Sequence, residues 1–221
     1  MRKVVTYEAV KQLFFDGMTL MSGGFMSCGT PEGLVDLILE LGIKDITLIA
    51  TDTATPDRGV GRLIVAKRVK KLYASHIGLN PETGKQMHDG SLQVELVPQG
   101  TLAERIRSGG FGLGGVLTPT GLGTVVEEGK QIIEIDGKKF ILEKPLRADV
   151  SIIRGSVTDT YGNITYKGTT NNFNQVMATA ADVVIVETEK LVPAGSLVKE
   201  SIHTQSIFVD YVIKGGGNDV Y

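Results

Sequence analysis

The sequence predicts an α/β fold, a mainly parallel sheet with helices on both faces. Three observations predict it. Short apolar runs alternate with amphipathic segments in a mostly βαβα order, and a parallel sheet needs that order because each crossover carries a helix. Val150–Ile153 and Val183–Val186 are rich in β-branched residues, as central strands are. The 28 glycines among 221 residues lie between the apolar segments and form no low-complexity block, which fits many tight strand–helix turns. No repeat or linker divides the chain, so residues 1–221 read as one domain.

The elements follow in order. Thr6 caps a helix over about Tyr7–Phe15 that turns Val10, Leu13 and Phe14 inward. Met18–Met21 is the first strand. Pro31–Leu41 carries Leu34, Leu37, Ile38 and Leu41 at i, i+3, i+4, i+7, a helical stripe, with Thr30 as N-cap, Pro31 at the first helical position and Gly42 as the stop. Asp45–Ala50 is a buried strand, Thr51–Arg58 a polar loop, Gly61–Val69 a helix and Lys71–Ser75 a short strand. Leu92–Leu96 alternates like a half-buried strand. Thr101 and Glu104 form a capping box for a helix ending at Gly109. Asp136-Gly137 marks a hairpin between Ile132–Asp136 and Lys138–Leu142. A short helix, Gln175–Ala180, separates the last two strand runs.

The stretch DGMTLMSGGFMSCGTPEGL, Asp16–Leu34, is the most informative. A strand enters a glycine pair, and a short loop leads to a helix start. That arrangement can offer free N–H groups and the positive end of a helix dipole to an anion. A tight turn with close packing explains the same residues.

Composition excludes several classes. Net charge is −2, with 42% hydrophobic and 22% charged residues. These values fit a soluble protein and give no sign of a nucleic-acid or membrane-surface binder. The basic run Lys67–Lys71 reads as a solvated helix face. No apolar run reaches membrane-spanning length and the N-terminus has no signal-peptide core, so a cytoplasmic location is expected. The single cysteine, Cys28, forms no internal disulfide. His76, His88 and His203 have no partner at metal-ligand spacing, so no metal is expected. Gly110–Gly115 matches G-x-G-x-x-G but follows a helix, where a dinucleotide site follows a strand. It reads better as a flexible loop beside a ligand or second subunit. Glu127-Glu128 and Glu187-Thr188-Glu189 look like charged ends of secondary structure, and no catalytic residue is assigned.

DGMTLMSGGFMSCGTP resembles the first signature of the family I CoA-transferases: Asp-Gly, an apolar triplet, Gly-Gly-Phe, then Gly and Pro at fixed spacing. Further stretches along nearly the whole chain, among them Leu48–Ala54, Asn80–Gly84, Val97–Leu102, Leu117–Gly121 and Asn172-Phe173-Asn174, are similar to the α subunit of that family, most of all to bacterial acetate or acetoacetate CoA-transferases. Two positions depart: Ser22 stands where the signature has an aliphatic residue, and Gln205-Ser206 where a Pro-Gly is usual.

The resemblance implies ping-pong transfer of CoA from an acyl-CoA to a short-chain acid. A glutamate attacks the thioester to give a mixed anhydride, and returning CoA thiolate forms a glutamyl-CoA thioester. That glutamate is expected in a Glu-Asn-Gly setting on a β subunit, and this chain has no such tripeptide. An α2β2 heterotetramer with a shared site is implied. By motif, Gly23, Gly24, Phe25, Met26, Ser27, Cys28 and Gly29 are the residues expected to bind CoA, which is a substrate and no resident cofactor. Gly24→Val is accordingly expected to weaken CoA binding while leaving the fold largely intact. A succinyl-CoA:3-oxoacid subunit and a phosphate-ester-sensing α/β module stay open as alternatives.

Overall fold

A computed structural model of the chain describes residues 3–215. Its centre is an eight-stranded sheet with the order β11-β10-β8-β1-β2-β3-β4, and β9 pairs with β8. The strands are β1 (Thr19–Ser22), β2 (Ile46–Ile49), β3 (Val69–Ala74), β4 (Gln93–Leu96), β8 (Ala148–Asp159), β9 (Ile164–Thr165), β10 (Ala181–Val192) and β11 (Tyr211–Lys214). All neighbours are parallel except β8 and β9. The helices are α1 (Glu32–Glu40), α2 (Gly61–Val65), α3 (Pro81–His88), α4 (Gln99–Gly110) and α5 (Asn174–Met177).

Both sheet faces are covered, so successive strand residues enter different cores. Leu20, Leu48 and Ile152 pack with Leu34, Ile38, Leu63 and Ile64 from α1 and α2. Their neighbours Met21, Ile49 and Ile153 pack with Leu102, Ile106, Val176 and Met177 from α4 and α5. The predicted architecture is the observed one. A separate antiparallel sheet, β5-β7-β6, comprises β5 (Val116–Thr118), β6 (Ile132–Ile135) and β7 (Lys138–Glu143). Asp136 and Gly137 turn it with φ of 51° and 74°, as the hairpin signal requires. No described helix is long and apolar enough to cross a membrane.

Several elements differ from expectation for local reasons. Tyr7–Leu13 is a 3-10 helix without a Thr6 side-chain cap. Tyr7, Val10 and Leu13, three apart, all face the core, and three residues per turn is the 3-10 period. α2 stops four residues early because Lys67 adopts φ 54°. The Lys67 N–H reaches the Ile64 carbonyl at 2.9 Å and the Arg68 N–H the Leu63 carbonyl at 2.9 Å, a Schellman stop made without glycine. The basic run is therefore a turn and the start of β3, with Val69 buried, and no helix face. α4 begins at Gln99 after Pro98, so Thr101 is a buried interior residue and the capping box does not form. α3, unassigned from the sequence, is capped by Asn80, whose side chain accepts the Glu82 N–H at 3.2 Å. β8 and β10 each run 12 residues, past the apolar runs that marked them, because the strands continue through buried polar residues such as Arg154 and Glu187.

Candidate functional site

Strand order reverses between β1 and β8, and in open α/β sheets ligands bind outside the carboxyl edge at such a switch point. The chain leaves β1 there at Gly23, whose N–H bonds the Ile152 carbonyl at 2.9 Å. Phe25 and Cys28 then pair through N–H to carbonyl bonds of 2.9 and 2.8 Å, making a two-residue hairpin. Its central residues, Met26 and Ser27, have φ of 49° and 68°. Such a turn usually takes Asn-Gly, and two consecutive non-glycine left-handed residues cost on the order of 1–3 kcal/mol each.

Neighbouring side chains impose that shape. Asn172 accepts the Gly24 N–H at 3.2 Å and donates to the Cys28 carbonyl at 3.1 Å. Asp52, 4% exposed at the end of β2, accepts the Met26 N–H at 2.9 Å and the Ala54 N–H at 2.7 Å. Thr51 donates to the Gly24 carbonyl at 2.5 Å, and Asn174 to the Gly29 carbonyl at 3.0 Å. Among the described residues the N–H groups of Ser27 and Gly29 find no acceptor.

The seven expected site residues thus divide. Gly23 and Gly24 are buried, Phe25 and Met26 are exposed, and Ser27, Cys28 and Gly29 are half-buried. The two buried glycines answer to packing inside the protein. A Cβ on Gly23 would lie 1.7 Å from the Asn174 side-chain oxygen, and one on Gly24 2.1 Å from the Thr30 hydroxyl. Gly24 also has φ +125°. The expectation that Gly24→Val spares the fold is therefore corrected: strain there precedes any ligand. Gly24→Ala is expected to destabilise the ligand-free protein by about 1–3 kcal/mol. A thermal melt without CoA checks this, and an unchanged midpoint would contradict it.

The start of α1 is also corrected. Pro31 is the N-cap and Thr30 makes no capping bond. The Leu34 N–H is shared between Glu187 Oε2 at 2.9 Å and the Pro31 carbonyl at 3.1 Å. Glu187, 1% exposed, also pairs with Arg154 Nη1 at 2.5 Å. Burial raises the Glu187 carboxyl above its usual range, opposed by Arg154 and the helix N–H groups, and burial beside Glu187 raises the Tyr7 hydroxyl. The positive helix end is thus occupied by the protein's own carboxylate. Glu187 is therefore no charged strand end. The sequence reading missed the roles of Asp52, Asn174 and Glu187. The Asn-rich run after β9 and the polar run after β2 were the available signals.

A groove of about 660 Å³ opens beside Asn172, between α4, α5 and residues 203–208, with Arg107, Phe111, Phe173, Val176, His203 and Phe208 in its walls. His203 Nδ1 accepts the Tyr166 N–H at 3.1 Å. The volume suits a ligand of cofactor size. Gly110–Gly115 lies at the end of α4, where Cβ atoms on Gly109 and Gly110 would meet the Leu146 carbonyl at 2.0 Å and the Thr179 hydroxyl at 2.2 Å. Among the described residues no His, Cys, Asp and Glu group could hold a metal ion.

Comparison with known proteins adds to this geometry. The chain is 53% identical over 212 residues to the acetoacetyl-CoA:acetate/butyrate CoA transferase alpha subunit of Clostridium acetobutylicum, covering 96% of this chain and 97% of that one. It is 54% identical over 211 residues to the acetate CoA-transferase subunit alpha of Escherichia coli K12, covering 96% of each. Among solved structures, an acyl-CoA transferase from Escherichia coli O157:H7 in a thioester complex with CoA shares the fold, with a TM-score of 0.81 at 21% identity over 97% of this chain. The present chain spans 47% of that longer protein, about half its length. The model of the coenzyme A transferase family matches residues 6–215, and with these relatives it shows that the chain belongs to that family.

Proposed function

We propose that this chain is the α subunit of an enzyme that moves CoA between a short acyl-CoA, such as acetoacetyl-CoA or acetyl-CoA, and a free acid such as acetate, butyrate or acetoacetate. The reacting glutamate belongs to a β subunit, and the two chains assemble as an α2β2 heterotetramer. One observation carries this reading. The hairpin at the switch point presents unspent N–H donors, while the carboxylate bonded to it, Asp52, is spent on backbone N–H groups. That is half of a covalent-catalysis site, with polar donors in place and the nucleophile still to come. Residues 23–29 meet acyl-CoA, chiefly through Phe25–Gly29, with CoA as substrate and no resident cofactor. Two cores on opposite faces of one sheet support reading 1–221 as one domain, although 1–2 and 216–221 lie outside the described residues. Similarity to full-length α subunits supports the choice of acids.

Co-expression with a partner chain that carries Glu-Asn-Gly tests the proposal. The complex is expected to form acetyl-CoA from acetoacetyl-CoA and acetate, with ping-pong kinetics. A folded complex that shows no CoA exchange with any short acid would sink it.

A further inference from the structure

The Phe25–Cys28 hairpin keeps its shape against the preference of Met26 and Ser27, so something outside it must supply the constraint. One side-chain amide is placed to do this. Asn172 Oδ1 accepts the N–H groups of Gly24 and Asn174, both at 3.2 Å. Its Nδ2 donates to the carbonyls of Cys28 at 3.1 Å and Thr169 at 2.8 Å. The amide orientation follows from its partners, since a flip would face two donors with donors and two acceptors with acceptors. Among the described residues no other side chain bonds both the entering and the leaving strand of the hairpin. Thr51 holds Gly24, Asp52 holds Met26 and Asn174 holds Gly29.

We infer that Asn172 is a positioning residue for CoA transfer, fixing the left-handed Met26-Ser27 turn and thereby the direction of the free Ser27 and Gly29 N–H groups. The inference rests on the reading of residues 23–29 as the acyl-CoA contact. Asn172 is half-buried at the rim of the groove, so its loss opens no hole in either core. The fold survives and the turn relaxes. An aspartate of the same shape would keep both N–H bonds but would set an anion against two carbonyls.

The test uses the assembled enzyme, with acetoacetyl-CoA as donor and acetate as acceptor. Asn172→Ala and Asn172→Asp are expected to lower kcat/KM for the acyl-CoA roughly tenfold or more, in line with the cost of small misplacements. The thermal midpoint should move little. The loss from Asn172→Ala should shrink to about twofold in a Ser27→Gly background, because glycine takes a left-handed φ unaided. A purely structural asparagine would not give that rescue. An equal loss in both backgrounds overturns the inference, and so does a variant that fails to assemble. Met26→Ala separates the two readings. If it lowers kcat/KM while Asn172→Ala does not, the positioning role alone falls. If neither changes it, the loop is not the contact and both fall.

Discussion

Purified without a partner, this chain is expected to transfer CoA no faster than background. The deficit against the complex should be roughly 10⁴-fold to 10⁶-fold, the range seen when a central catalytic group is removed from a covalent mechanism. Backbone N–H donors can stabilise developing negative charge but cannot accept an acyl group. Three carboxylates bonded around the loop and the start of α1 are committed. Asp52 holds Met26 and Ala54, Glu187 holds α1 and Arg154, and Glu32 pairs with Arg62 at 2.7 Å. Mixing the chain with donor thioester and acid, then adding the partner, gives the measurement. Rapid turnover before the addition would refute the division of labour.

Glu187→Ala is expected to lower stability by about 3–5 kcal/mol. The change removes one partner of a buried ion pair, in which Arg154 is 2% and Glu187 1% exposed. Glu189 Oε1 also lies 3.5 Å from Arg154 Nε. The same change weakens the start of α1, where the Leu34 N–H keeps only the Pro31 carbonyl at 3.1 Å. Glu187→Gln keeps an acceptor for the helix and should cost less, about 1–3 kcal/mol. Urea unfolding of both variants gives the comparison, and a Glu187→Ala value within about 1 kcal/mol of wild type would contradict the account.

The layered fold was legible because period and punctuation agree in most segments. α1 shows its stripe, and Asp136-Gly137 announces its turn. What stayed hidden depended on residues distant in sequence. Lys67 ends a helix with no glycine to mark it, and Thr101 looks like a cap yet is buried inside α4. The site was legible in part. The glycine motif located the loop, but its physical reading inverted. The helix end judged free for a ligand is filled by Glu187, from 153 residues away, and the buried glycines make room for Thr30 and Asn174. No local pattern reports such a pairing.

That separation bears on how the protein comes into being. Residues 144 and 145 positions downstream tie the hairpin carbonyls in place, so the segment made early in synthesis cannot settle until the crossover between β8 and β10 has been made and has closed a long loop back onto it. A nascent chain halted before Asn171 could align its first four strands in register. It would carry the whole glycine motif and still lack the side chains that fix its turn.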